Sequence, residues 1–219
     1  MHLSTPSLMT LIEQSADHSE TVQILGELKN RADVFNHERV LALVTNSTRP
    51  DAVRRAAVIC AMTLNPDKTI GWMREQAQDK ALAPHRRKLA MCGLTWAMSP
   101  ALTLGVLEGI AAQKDVTEVR VSAIQQVTVF RNVRSVGLLF LLTRDRDQSV
   151  AEAAQAGLDA LMKHSGGLAG VLEKLKERAA ELTAQGRVNA ALEVLQTAVQ
   201  LSPSDGSVQL SIRRLRKAA

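Results

Sequence analysis

The amino-acid sequence predicts an all-α fold, a right-handed α-solenoid of stacked helical hairpins. Three observations carry that prediction. A 33-residue period sets Ala57, Ala90 and Ala123 in register, with Ala154 following after 31 more. Apolar residues fill 46% of the 219 positions, yet aromatics fill only 2% and tyrosine is absent. A core of Ala, Leu, Val and Ile suits close helix packing and gives little to a sandwich or barrel. Glycine (12) and proline (6) are also too few for an all-β chain with many turns.

Taken from the N-terminus, residues 6–15 and 20–31 have the spacing of a first helix and a second, with Ile24 standing 33 residues before Ala57. From there the second helices repeat a three-point pattern. The alanines at 57, 90, 123 and 154 are followed four residues on by Ala61, Leu94, Val127 and Leu158. Three further on stand Leu64, Ala97, Phe130 and Leu161. Offsets of 0, +4 and +7 trace one apolar stripe of an amphipathic helix. The first helices repeat as well: Val40, Met73, Val106 and Leu139 are 33 apart. Prolines punctuate the joins at Arg49-Pro50-Asp51, Asn65-Pro66-Asp67, Ala83-Pro84 and Ser99-Pro100, where proline opens one helix and cannot continue another. Five hairpins result, over residues 5–165. No hairpin of this size buries its apolar face alone, so neighbours must stack on it.

The second helices also carry a phrase. Asp51-x-Val53-Arg54-x-x-Ala57 and Val119-Arg120-x-x-Ala123 resemble the D-x-V-R-x-x-A phrase of HEAT repeats, especially the short bacterial type. Two copies depart from it, with Arg86 in place of the valine and Ala151 in place of the arginine. Residues 166–219 differ in kind. Leu182, Gly186, Ala191, Leu195, Ala198 and Pro203 fall in the order and spacing of a tetratricopeptide repeat, which this segment resembles. The resemblance implies one such hairpin and then a capping helix near residues 206–217, with Gly166-Gly167 at the seam.

Charge and cysteine content set bounds on function. A net charge of +5, from 27 basic and 22 acidic residues, is a mild excess. Its clusters are His85-Arg86-Arg87-Lys88 and Arg213-Arg214-Leu215-Arg216-Lys217, so nucleic acid is permitted but not demanded. Cys60 and Cys92 lie in apolar helical segments without a metal-type spacing and read as reduced, buried thiols. The N-terminus lacks the pattern of a signal peptide, and the most apolar window, Val136–Thr143, is far shorter than the roughly 20 residues of a membrane span. The expectation is a soluble, cytoplasmic protein.

Candidate site residues follow from the register. Arg54, Arg87 and Arg120 are 33 apart and form a ladder, which has two readings. Together with Arg86 it could grip nucleic acid or another anion. The HEAT resemblance instead implies bonds between repeats, with Asp51 and Asp147 as partners. One position round lies a ridge: Arg55 and Lys88, then Ile59, Cys92 and Gln125, then Met62, Thr95 and Thr128. In HEAT arrays second helices line the concave face. The resemblance therefore implies that Arg55, Ile59, Met62, Lys88, Thr95, Gln125 and Thr128 bind a partner. His37-Glu38 is similar to the His-Glu pairs of metal-binding HEAT enzymes such as deoxyhypusine hydroxylase, but a second pair is lacking, so neither metal nor cofactor is expected. Trp72 and Trp96 resemble the tryptophans of HEAT-like DNA glycosylases, with packing the preferred role for Trp96. No Gly-rich phosphate loop, G-x-S-x-G elbow or catalytic Cys–His spacing appears.

The functional expectation is a non-enzymatic scaffold that binds a protein or peptide segment along its concave face. The alternative is a nucleic-acid-binding protein of the DNA glycosylase-like kind. Self-association into a homodimer through apolar ends stays open.

Overall fold

A computed structural model describes residues 4–31, 36–97 and 100–218. Among these, every regular element is helical: thirteen α-helices and one 3-10 turn. The chain divides into two compact units, residues 1–126 and 127–219.

In the first unit, helix α1 (Thr5–Gln14) opens at Ser4, whose side chain accepts from the Ser7 N–H, with Pro6 in its first turn. Helix α2 (His18–Arg31) follows, then α3 (His37–Val44), α4 (Asp51–Leu64), α5 (Pro66–Gln78), α6 (Pro84–Trp96) and α7 (Pro100–Ala112). Helix α8 (Thr117–Val129) runs across the division. Proline opens α5, α6 and α7, and Pro50 caps α4, as the turn chemistry predicts. Ser99 lies outside the described residues. Asn65 completes one such join: its Oδ1 accepts from the Lys68 N–H at 3.0 Å while Pro66 needs no donor of its own.

Packing follows the repeat. Second helices lie on second helices, α2 on α4 and α4 on α6, and first helices on first helices, α5 on α7. That is the order of a stacked, solenoid-like array. The reason is visible at the register positions: Ala57, Ala90, Ala123 and Ala154 are all 0% exposed. Their methyl groups are closed off from solvent, where a larger side chain would hold neighbouring helices apart. Val40, Met73, Val106 and Leu139 are buried too. A second small residue, Gly93, also sets a close approach. A Cβ there would lie 2.6 Å from Met73 Sδ and 3.0 Å from Val44 Cγ1.

Ala97 and Phe130, at the end of the stripe, are half-buried, and one register position shifts. Ile24 is half-buried, and Leu25 and Leu28 fill the core in its place. A helix turns by about 100° per residue, so α2 presents a face one position round from the later second helices.

The second unit contains the turn Val133–Ser135, α9 (Val136–Leu142), α10 (Gln148–His164), α11 (Gly167–Ala184), α12 (Val188–Leu201) and α13 (Gly206–Ala218). Asp147 caps α10 by accepting from the N–H groups of Ser149 and Val150. Gly166 and Gly167 both have left-handed backbone, φ 82° and 88°, and form the turn into α11. Helix α11 ends in a Schellman turn. The Gly186 N–H donates to Thr183 O at 2.9 Å and the Arg187 N–H to Leu182 O at 2.8 Å. Gly186 takes φ 73° there, a conformation costly for any residue with a Cβ. Leu182, Ala191, Leu195 and Ala198 are buried where α11 packs on α12. Val208 anchors α13, which packs on α12.

Candidate functional site

The arginine ladder turns inward. Arg87 is only 2% exposed, and its guanidinium reaches from α6 to the turn before α8. Nη1 and Nη2 donate to Asp115 Oδ1 and Oδ2 at 2.9 and 2.6 Å, while Nε donates to Ala77 O at 3.0 Å. The fork therefore satisfies the end of α5 and a carboxylate of the following repeat together. Those hydrogen bonds hold the Asp115 carboxyl below its ordinary range, against the opposing pull of burial. Arg120 repeats the device one hairpin later, its Nε donating to Ala111 O at the end of α7 at 3.0 Å. Arg54 pairs with Asp51 three residues before it in the same helix, so this pair does not make the bond between repeats that the resemblance implies, and Arg54 lies 5.9 Å over the Trp96 ring. Its Nε is buried without a hydrogen-bond partner. Trp96 thus packs against the ladder.

A further arginine does comparable work and gave no sequence signal beyond its turn. Arg49 donates through Nη1 to Ser15 O at 2.7 Å and through Nη2 to Ile12 O at 2.8 Å, covering the last carbonyls of α1. Asp115 was equally silent in the sequence: it stands 28 residues from Arg87, outside the D-x-V-R phrase.

The His37-Glu38 pair points two ways. His37 is 3% exposed, and its Nε2 lies 2.8 Å from Thr69 Oγ1, which itself donates into the carbonyls of Ala61 and Asn65. Thr69 has one proton to give, so Nε2–H is the donor toward it. Nδ1 is buried without a hydrogen-bond partner. Burial first, and the Lys68 charge second, push the His37 pKa below its ordinary value. Glu38 instead faces outward to Lys68 Nζ at 2.9 Å. Among the described residues, no group of three or more His, Cys, Asp or Glu side chains is placed to hold a metal ion.

The ridge residues separate into two sets. Arg55 and Ile59 are exposed on α4, with Ile59 at 47%, and Met62 is half-buried beside them. Lys88 is half-buried on α6 and bonded to Glu118 Oε2 at 2.7 Å, Cys92 is half-buried, and Gln125 is exposed on α8. Thr95 does not belong with them. It is 4% exposed and its hydroxyl donates to Met91 O at 3.2 Å within its own helix, so it packs rather than presents. Thr128 is half-buried in the second unit, its Oγ1 close against Gly157. Arg86 is exposed and donates to Gln76 Oε1 at 3.0 Å.

No family model and no curated protein matches the chain. Among solved structures, one that is similar is the complex of CpcE and CpcF of phycocyanin lyase from Nostoc sp. PCC7120. It shares 13% identity with a TM-score of 0.38 and covers 100% of this chain and 95% of that chain. It is a lyase. The expectation that a chain without a catalytic motif is not an enzyme is corrected on that finding and withdrawn. No helix among the described residues is long and apolar enough to cross a membrane.

Proposed function

We propose that this chain binds a protein partner through the solvent-facing side of its second helices in residues 1–126, centred on Arg55, Ile59 and Met62. One observation carries the reading. These three residues follow at i, i+4 and i+7 on α4, the side opposite the alanine stripe, so the helix has a partly apolar face that its own core does not use. An isoleucine left 47% exposed beside an arginine fits a side chain kept for a partner's pocket. Lys88 and Cys92 on α6, which packs on α4, and Gln125 on α8 extend the face. Residues 5–165 are read as HEAT-like repeats and 166–219 as a tetratricopeptide-like hairpin with a capping helix, on the phrases in the sequence. Nucleic acid is the weaker reading, since Arg87 and Arg120, two of the four arginines proposed for it, are engaged inside the fold.

The test is recovery of partners from the native lysate by the wild-type chain and by I59E/M62E, both checked for cooperative melting. The expected result is a protein retained by the wild type and lost from the variant. Equal recovery by two folded proteins would remove this face from the reading.

A further inference from the structure

Helix α12 is flanked by two cavities, of about 570 and about 460 Å³, and both are lined by Gln196 and Gln200. The larger is walled by Arg134 from the 3-10 turn, Arg178 from α11 and Arg187 before α12. The smaller is walled by Arg213 and Arg216 of α13. Five arginines therefore line the two cavities, which share Gln196 and Gln200 and together form a track along α12. Against them the two linings hold one carboxylate, Glu193, and Arg178 is bonded to Glu181 at 2.8 Å. Arg187, Arg213 and Arg216 are exposed, and no ion pair engages them among the described residues.

We infer that this track is a docking groove for an acidic, leucine-bearing peptide segment of another protein, laid across α12. Two features choose that occupant. Charge comes first: Arg187, Arg213 and Arg216, exposed and outside any ion pair among the described residues, stand against the one lining carboxylate, Glu193, and complement an acidic chain. Their spread over both cavities fits an elongated ligand better than a single small anion. The floor is aliphatic, and this comes second. Leu138, Leu141 and Val194 line the larger cavity, and Val199 and Ile212 the smaller. Leu141 is 57% exposed, an apolar side chain that α9 does not bury. Single-stranded nucleic acid would be drawn by the same charge, but such sites stack bases on aromatic rings, and neither lining contains one. This groove lies wholly in residues 127–219 and stands independently of the face proposed on α4.

Fluorescence anisotropy of the full chain at low salt tests the groove with three labelled probes. These are a short peptide of Glu-Asp-Leu repeats, its Gln-Asn-Leu counterpart, and an oligothymidylate of equal formal charge. The expected result is saturable binding of the acidic peptide, at least about tenfold tighter than either control. R187E/R213E changes two exposed side chains and should weaken the acidic peptide by about tenfold or more without altering the melting curve. L141N should weaken it by a smaller factor, roughly threefold, through the floor alone. The groove reading is overturned by an absence of saturable peptide binding, by equal affinity in the folded charge-reversed protein, or by preference for the oligothymidylate.

Discussion

Two sets of arginines, one in each unit, do opposite work. In residues 1–126, Arg49, Arg87 and Arg120 reach inward and close off helix-end carbonyls, and Arg87 adds a buried carboxylate. In residues 127–219, Arg187, Arg213 and Arg216 stand exposed along cavity walls. The same side chain is a cross-link in one place and a recognition group in the other. Local chemistry decides which. An arginine one turn into a second helix lies within reach of the carbonyls that end the preceding first helix, which have no helical partner. Arg49 reaches such carbonyls from a turn, at the end of α1, whereas Arg187, Arg213 and Arg216 make no such bonds and stay solvated. The difference implies that charge changes at Arg49, Arg87 and Arg120 register as stability, and at Arg187, Arg213 and Arg216 as binding.

The largest expected effect lies at the buried pair. Asp115→Ala leaves the Arg87 guanidinium buried without its carboxylate and should cost about 3–5 kcal/mol, read by urea unfolding. The outward arginines should contrast sharply: Arg187→Ala should change stability by no more than about 0.5 kcal/mol. Equal losses at the two sites would erase the distinction between the units.

Next in size are the close approaches made by glycine. Gly93→Ala pushes a methyl group toward Met73 Sδ and Val44 Cγ1 and should cost about 1–3 kcal/mol. Gly137→Ala would bring its Cβ 2.8 Å from Thr197 Oγ1, where α9 packs on α12, and should cost a similar amount in the second unit. Melting of the two variants followed by hydrogen exchange would show whether each loss stays within its own unit.

Acidity should separate the units more gently. His37 has a folded pKa below its unfolded value of about 6.5, so the unfolded chain binds the proton more readily. Its contribution is complete above that value and declines as pH falls from about 6.5 toward the folded pKa. Asp115 is also depressed, and its contribution is complete above about 3.9 and declines below it. The His37 loss, which comes first as pH falls, is in residues 1–126, while at lower pH the depressed carboxyls of Asp115 and Asp205 weaken both units. A melting series from neutral pH downward should show the first unit weakening near pH 6, and H37Q should flatten that part of the curve.

The smallest effect concerns the thiols. Burial pushes the Cys60 thiol up to about 11 and raises Cys92 as well. At pH 8 both should alkylate more slowly than a free thiol, with buried Cys60 slower than half-buried Cys92. Equal rates would mean that the first unit opens faster than the reagent reacts.

Much of the fold was legible because burial imposes a chemical type that repeats. Alanine at 57, 90, 123 and 154 is small for one shared reason, and proline at the joins acts through its own backbone, so neither depends on distant partners. Ile24 misled because adjacent apolar residues in α2 allow two faces, and only contact with α4 selects Leu25 and Leu28. Thr95 misled because threonine suits surface and core equally once its hydroxyl bonds to its own helix at Met91 O. The Arg87–Asp115 bond was not readable at all, since a turn aspartate 28 residues away has no periodicity to announce it. The cavities beside α12 were missed for the same reason: their walls come from a turn and three helices, and only folding gathers them.

The most direct measurement is a double-mutant cycle on Arg87 and Asp115, using Arg87→Met, Asp115→Leu and the pair together, followed by urea unfolding. If the ladder binds repeat to repeat, the double variant should recover much of the loss of either single variant, with a coupling of at least about 2 kcal/mol. Losses that add to within about 0.5 kcal/mol would contradict it, for the two side chains would then act apart and Arg87 would not join its hairpin to the next.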